Sequence, residues 1–354
     1  MTVRNGMLRS VYFHITEKCE HCCGFCYAKF GLGGFCHAEF SNVKKIVDIV
    51  SNAGVKNFSF VGGDPVLHPQ IVEILQYART TMMNITLMTN TARIPNTSVK
   101  EVAPFVDVLM ISIHGDSAIQ HDSVSTVDGS YENLIAATKE FQDNGVKIEV
   151  AFNITSKTFN QIFSSIEELT HKGIKVTRYV LQCIAPIMDK DGLIILSNDE
   201  YTPKKSQINI AMSQIKKIKE KYNIPIELVD PFPLCIVDKA YHDLVTPCKC
   251  GLTDLSINGN GDIARCGADP NYQLGNILST PEDDLISSLW QHSNELMRFR
   301  AKQYLPKQCK TCSLKLRCGG GCASRCNVFR TLGQSHLDIF EEESIYGIER
   351  KILK

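Results

Sequence analysis

The residues best equipped for chemistry stand early in the chain, in Cys19-Glu20-His21-Cys22-Cys23-Gly24-Phe25-Cys26-Tyr27, directly after the apolar run Val11 to Ile15. Cys19, Cys23 and Cys26 are spaced C-x3-C-x2-C, a loop that can wrap three thiolates around one face of a cubane iron–sulfur cluster. Three ligands for four irons leave one iron open, and an open metal position is where bound molecules react. Zinc is the competing reading, but structural zinc prefers four closed ligands, and this loop offers three. Cys22 competes with Cys23, since Cys22-x3-Cys26 also exists. With Cys36 and Cys183 it is otherwise read as a small buried packing residue.

A second group of thiols lies toward the other end. Cys309-x2-Cys312-x5-Cys318-x3-Cys322 is followed by Cys326, and upstream Cys248 and Cys250 precede Gly261-x4-Cys266. Of 15 cysteines, five lie between 19 and 36, one is at 183 and nine lie between 235 and 326, which separates two metal regions. A zinc ribbon is the alternative for the second.

The chain that must position these residues has 354 of them, 44% apolar, with 38 basic and 38 acidic side chains. Such balance gives no general pull toward nucleic acid or an anionic membrane. Met1 to Ser10 is polar and unlike a signal peptide, and no apolar run is long enough to span a bilayer. A cytoplasmic location is expected. That compartment keeps thiols reduced, so the cysteines read as metal ligands rather than disulfides.

The first half alternates strand-like and helical patterns. Strands are predicted at Ser10–Ile15, Asn57–Val61, Ile85–Thr89, Val108–Ile113, Lys147–Asn153 and Val176–Leu181. Between them, Ser41 can cap a helix with Val43, Ile46, Val47 and Val50 on one face, and Pro69 can open another with Ile71, Ile74, Leu75 and Ala78. Ser130 starts a third, and Phe159 to Leu169 marks a fourth. Six β–α units predict an α/β fold whose parallel sheet is returned by right-handed crossovers, with function at the carboxyl ends of the strands. A linker follows around Ala185–Pro203, then an apolar helix face of Ile208, Ala211, Met212, Ile215 and Ile218. From Pro225 the composition shifts to proline, glycine and cysteine, interrupted by a helix over Leu285 to Phe299. The expected division is a core at 1–200, a linking helix region at 201–234, a cysteine module at 235–330 and a helical tail at 331–354.

The cysteine loop, including Phe25 before its third cysteine, resembles the motif of the radical SAM enzymes. The six β–α units agree with that family's partial (β/α)6 TIM-like barrel. The second pattern, a cysteine ahead of G-x4-C, then C-x2-C-x5-C-x3-C and a last cysteine, resembles the signature of the SPASM domain. The resemblance implies S-adenosylmethionine (SAM) on the open iron and a 5′-deoxyadenosyl radical that abstracts hydrogen, with the protein supplying orientation and dryness. It implies Cys19, Cys23 and Cys26 as catalytic cluster ligands, with Phe25 and Tyr27 beside the cofactor. Val61-Gly62-Gly63-Asp64-Pro65 resembles the family's GGE-P, with Asp64 one methylene shorter than glutamate; an ordinary glycine turn is the alternative. Thr89-Asn90-Thr91 resembles T-N-G, and Ser112 and Asn153 end strands where the family places SAM contacts. His121-Asp122 and Gly129-Ser130 resemble H-D-x-x-R-x3-G-S, but the arginine falls on Ser125. Arg178 is the expected substitute for pairing the SAM carboxylate, since a guanidinium fits it in bidentate fashion. His14 reads as a packed histidine.

For the SPASM segment the resemblance implies two auxiliary [4Fe-4S] clusters. Cys248, Cys266 and Cys322 would hold the inner one, its fourth position falling to Cys250, to Cys235 or to no protein ligand. Cys309, Cys312, Cys318 and Cys326 would hold the outer one. Relatives of this type mostly install crosslinks or oxidations in ribosomal peptides. A peptide substrate is therefore expected, with a reductant such as flavodoxin or ferredoxin. With 18 residues ahead of Cys19 there is no room for a leader-binding domain, so a separate protein, or the barrel mouth and tail, would recognise the peptide. A small-molecule radical SAM dehydrogenase and a non-catalytic iron–sulfur electron carrier are the alternatives. The departures at Asp64, Thr91 and Ser125 give the carrier some weight, but a carrier needs no open-iron loop on a six-unit barrel, so an enzyme is expected.

Overall fold

The computed structural model describes residues 7–28, 36–91, 99–184, 187–188, 194–195, 200–268, 273–279 and 285–326. The tail expected at 331–354 and most of the linker at 185–199 lie outside them.

Six parallel strands come first: β1 (Ser10–Thr16), β2 (Asn57–Gly62), β3 (Asn84–Thr89), β4 (Val108–Ile113), β5 (Lys147–Ile154) and β6 (Val176–Cys183). They are returned by α1 (Phe40–Asn52), α2 (Ile71–Ala78), α3 (Val99–Val102), α4 (Ala118–Ser125), α5 (Ser130–Asp143) and α6 (Ile162–His171). The period-two alternation of a strand decides the layers. Val11, Phe13 and Ile15 of β1, with Phe58 and Phe60 of β2, are fully buried under the helices. The rings of Phe13, Phe58 and Phe60 pack at centroid separations of 5.1 to 6.3 Å. Val43, Ile46, Val47 and Val50 form the matching stripe of α1. Each such side chain contributes about 1.5–3 kcal/mol by leaving water. On the opposite face Met88, Met110, Ala151, Val180 and Val229 form a separate apolar cluster inside the curved sheet.

The sheet is wider than six strands. After a small antiparallel hairpin, β7 (Ile187–Met188) with β8 (Ile194–Ile195), α7 (Lys205–Tyr222) leads to β9 (Ile226–Asp230), which pairs parallel with β6. Then β10 (Asp254–Asn258) pairs parallel with β1, so the cysteine module joins the core sheet itself. β11 (Asp262–Ala264) and β12 (Gln273–Asn276) add antiparallel, giving the order β12-β11-β10-β1-β2-β3-β4-β5-β6-β9. The edge strand β9 meets the segment leading into β10 through a Lys249–Glu227 ion pair and a Thr246 hydroxyl donating to Leu228 O at 3.2 Å. The chain ends in α8 (Leu285–His292), α9 (Asn294–Arg300), α10 (Lys307–Lys310) and α11 (Lys315–Cys318).

Three local expectations need correcting. α1 begins at Phe40, where Glu39 O receives the Asn42 and Val43 amides, so Ser41 lies inside the first turn and caps nothing. α2 begins at Ile71, and the proline that opens a turn is Pro65, at a short 3₁₀ segment. The helix expected over 285–299 is two, because the Ser293 side chain accepts from Leu296 N and starts a new one.

Candidate active site and cysteine clusters

The cysteine loop leaves the carboxyl end of β1 along the end of β2. Gly63 N donates to Thr16 O at 2.7 Å and Asp64 N to Lys18 O at 2.6 Å. A Cβ on Gly62 would stand 2.3 Å from Thr16 O, and one on Gly63 2.2 Å from Lys18 O. The glycine pair is thus required by backbone contact with the loop. Gly24 is required too, its absent Cβ lying 2.5 Å from the Tyr201 ring. Asn90 Nδ2 donates to Cys19 Sγ at 3.4 Å, and Cys26 N to Cys23 O at 3.1 Å. Burial, then the charges of Cys26 and Cys19, push the Cys23 thiol up to about 12. Burial, with the Asp64 charge, raises Cys19 to about 12 as well, so both sulfurs are protonated without metal, and iron would bind with loss of those protons.

Histidines brace this loop. The His114 amide donates to His121 Nδ1 at 3.2 Å, which leaves the His121 proton on Nε2. That nitrogen donates to Ser130 Oγ at 3.2 Å, whose hydroxyl donates to His21 Nε2 at 3.0 Å. Burial holds His21 and His121 down at about 4, so the chain stays neutral. His114 stacks on His121 at 5.0 Å, and its Nε2 lies 3.9 Å from Cys23 Sγ. His21, Cys23 and His114 together bring ligand atoms within 4.8 Å of one another. Asp122 accepts the Gly129 and Tyr131 amides, both at 2.8 Å, and so starts α5. Ser125, where the family motif has arginine, is buried, and its carbonyl accepts Cys22 N at 3.0 Å. The H-D to G-S stretch therefore acts here as the loop's scaffold.

Asp64 is buried, and its carboxylate accepts from Val66 N (3.2 Å), Thr89 Oγ1 (2.6 Å) and Asn90 N (3.3 Å). Burial lifts it to about 6 against those three hydrogen bonds. The shorter acid thus ties β2 to the end of β3. Thr91 takes φ 48°, the left-handed region where the family's glycine is at ease. Asn90, Ser112 and Asn153 are partly exposed at strand ends, as is Gln182, which pairs in register with Asn153 and which sequence reasoning missed. Phe25 is buried against Val124 and Ile184, its ring edge-on to His114 at 5.5 Å and Tyr201 at 5.6 Å. Tyr27 is half-buried in the same loop.

Arg178 does not reach this rim. It stands near the amino end of β6, five residues before Cys183 and so about 16 Å below it. There its guanidinium is held by Glu149 Oε2 at 2.6 Å and Glu227 Oε2 at 2.7 Å. The expectation that it pairs the SAM carboxylate is corrected. Its partners sit on the neighbouring strands β5 and β9, far off in sequence.

The second set of thiols divides in two. Cys248, Cys250 and Cys266 share one site, and hydrogen bonding among their sulfurs with burial raises Cys250 well above the usual thiol range. This site adjoins the barrel interior: the Cys250 charge is felt by Tyr12, and a Cβ on Gly267 would stand 2.6 Å from His14 Nε2. Cys322 and Cys326 are buried, and their charges with that of Cys248 act on Tyr304. Cys309, Cys312 and Cys318 lie elsewhere, in company with Cys235. Of the two candidates named beside Cys248, Cys250 shares the site of Cys248 and Cys266, whereas Cys235 lies with Cys309, Cys312 and Cys318. Cys183 is not idle packing, because Arg325 donates to its sulfur at 2.8 Å and to Ile184 O, fastening the module to β6.

The donor set fits the groups it would hold. The thiols of Cys19 and Cys26 lie near enough to Cys23 for their charges to act on it, while His14 Nδ1, Thr91 Oγ1 and His114 Nδ1 are buried with no partner among the described residues. Buried polar atoms are normally satisfied, so such orphans are what a bound ligand would complete. None of the 15 cysteines is in a disulfide.

The model of the Radical SAM superfamily matches residues 13–156, and that of SPASM, an iron–sulfur cluster-binding domain, matches 248–313. The antilisterial bacteriocin subtilosin biosynthesis protein AlbA of Bacillus subtilis is 22% identical over 287 residues, 79% of this chain and 60% of AlbA, so the chain spans about three fifths of that relative. The PqqA peptide cyclase of Rhizobium meliloti is 21% identical, covering 91% of this chain and 83% of the cyclase. The AdoMet-dependent heme synthase of Nitratidesulfovibrio vulgaris is 22% identical, covering 89% and 87%. Among solved structures Streptococcus suis SuiB superposes with TM-score 0.68 at 16% identity, over 96% of this chain and 77% of SuiB, which shows a shared fold. The chain is an enzyme of the radical SAM superfamily with a SPASM domain, and its cofactors are S-adenosylmethionine and iron–sulfur clusters.

Proposed function

We propose that the enzyme oxidatively modifies a peptide, leaving a crosslink or an oxidised side chain. The observation that carries this reading is the contact of Gly267 with His14, which sets the Cys248–Cys250–Cys266 site against the barrel interior where a substrate enters. When bound, SAM and the catalytic cluster supply a 5′-deoxyadenosyl radical that takes a hydrogen atom from the substrate, and the auxiliary clusters supply an acceptor for the electron that follows. The chain's own part is positional. Cys19, Cys23 and Cys26 hold the catalytic cluster, and Asn90 and His114 orient two of those sulfurs. Gly62, Gly63 and Asp64 fix the backbone beside them, with Asn90, Ser112, Asn153 and Gln182 at the rim to orient SAM and substrate. Phe25 and Tyr27 keep water from the reacting side. Residues 1–200 form the reacting core and 235–330 the electron-handling module.

The peptide assignment is supported by AlbA, by the PqqA peptide cyclase and by SuiB, which has been solved with its precursor peptide SuiA. A flavodoxin or ferredoxin would supply the first electron, and a separate leader-binding protein the peptide's grip. Cysteines without disulfides, and no described helix long and apolar enough to cross a membrane, support a cytoplasmic setting.

The likeness to heme synthase favours a second reading, a small-molecule oxidation. The test is to supply the reduced, cluster-loaded enzyme with SAM and the short cysteine- or aromatic-rich peptides encoded beside its gene. A peptide that stimulates 5′-deoxyadenosine release and emerges lighter by two hydrogens supports the proposal. Stimulation only by a tetrapyrrole would move the function to the second reading.

A further inference from the structure

We propose that Cys235, which belongs to no spacing motif of the chain, is the fourth thiolate of the outer auxiliary cluster beside Cys309, Cys312 and Cys318, in place of Cys326. The proposal rests on the SPASM segment holding an outer cluster and is independent of what the substrate is.

The turn Pro231-Phe232-Pro233-Leu234-Cys235 is clamped directly onto the outer thiols. Cys322 N donates to Pro231 O at 2.8 Å, and a Cβ on Gly321 would meet Pro231 O and Pro233 N, each at 2.8 Å. Leu234 N donates to Cys318 Sγ at 3.3 Å, the kind of amide–sulfur hydrogen bond that accompanies cluster thiolates. His242 Nε2 holds Leu234 O at 2.9 Å, and Arg317, one residue before Cys318, donates to His242 O at 2.7 Å. The two prolines give this turn a fixed path. Cys235 follows Leu234 directly, and its sulfur is close enough to Cys318 and Cys312 for their charges to act on it, as its own acts on Cys309. The turn thus carries Cys235 to the neighbourhood of Cys309, Cys312 and Cys318.

Cys326 is placed differently. It is fully buried, its sulfur 3.2 Å from where a Gly320 Cβ would be, in an apolar cluster with Phe299, Tyr304 and Leu305. Cys309 borders that cluster, which makes Cys326 the rival ligand. The SPASM match covers residues 248–313, so Cys318, Cys322 and Cys326 lie beyond the matched stretch.

The test compares the full-length chain, reconstituted anaerobically, with its Cys235→Ser and Cys326→Ser variants by iron and sulfide content and Mössbauer spectroscopy. Cys235→Ser is expected to lose about a third of its iron, the share of one cluster in three, while Cys326→Ser keeps the wild-type content. Full iron with an unchanged spectrum in Cys235→Ser, or the loss falling on Cys326→Ser instead, would overturn the assignment. A second measurement needs no variant. Cys235 is exposed in the chain, so a ligand role predicts that iodoacetamide spares it in the loaded enzyme and labels it after chelation. Labelling with the clusters in place would overturn the proposal. Both readouts are blind to the substrate, so failure here leaves the peptide reading standing, and failure of the peptide reading leaves this one.

Discussion

The two cysteine regions are built on opposite plans. At the carboxyl end of β1, the three thiols of the C-x3-C-x2-C spacing sit with Cys22 in a short loop whose first member is exposed, backed by glycines and a neutral histidine chain. In the C-terminal module the thiols come in larger groups, drawn from segments up to 83 residues apart such as Cys235 and Cys318, and several are buried. A loop that brings three sulfurs leaves a metal position open to a reacting molecule, whereas a closed thiolate set protects a cluster meant to pass electrons. On the proposed ligand sets, three thiols at one site and four at the other would separate chemistry from electron handling in this chain.

The largest effect that can break this comparison is replacing Cys19, Cys23 and Cys26 together by alanine. SAM cleavage should vanish while about two thirds of the iron remains. Next comes Gly63→Ala, whose Cβ would press on Lys18 O at 2.2 Å with backbone on both sides. It should lose up to a third of the iron with the module's share intact; full retention would mean that the loop bends freely. Gly267→Ala forces a Cβ against His14 Nε2 and should lower stability by about 1–3 kcal/mol, read as a shift in the urea midpoint. Asp64→Ala should weaken SAM binding by about tenfold, the value of one hydrogen bond to a charged group. Unchanged affinity with reduced stability would reduce Asp64 to a bracket between β2 and β3.

The smallest effect is one of pH. His14, His21 and His121 are held at about 4 by burial, below their ordinary 6.5. Between those values the unfolded chain binds protons that the folded one refuses. The stability they contribute is therefore present above pH 6.5 and lost as pH falls toward 4. The urea midpoint of the metal-free chain should drop from pH 7 to pH 5, and His14→Gln should flatten part of that slope.

Much of this was legible in the residues because the signals are local. C-x3-C-x2-C lies within eight residues, and the six core strands announce themselves by alternation, their ends differing by at most two residues from those expected. What stayed hidden depends on partners distant in sequence. Nothing in Val176–Cys183 says that Glu149 and Glu227 will flank Arg178, because register alone decides it. β9 and β10 are only five residues each, and their pairing with β6 and with β1 defines them more than pattern does. Cys235 reaches the outer thiols through a proline turn folded over 80 residues of intervening chain.

The most direct test pairs the wild-type chain with the Cys19/Cys23/Cys26→Ala variant, both reconstituted anaerobically, reduced with dithionite and given SAM. Wild type should hold about 12 irons, four in each of three clusters, and release 5′-deoxyadenosine. The variant should hold about eight and release none. Deoxyadenosine from the variant, or a variant stripped of all its iron, would contradict the division between an open reacting site and closed electron-handling sites.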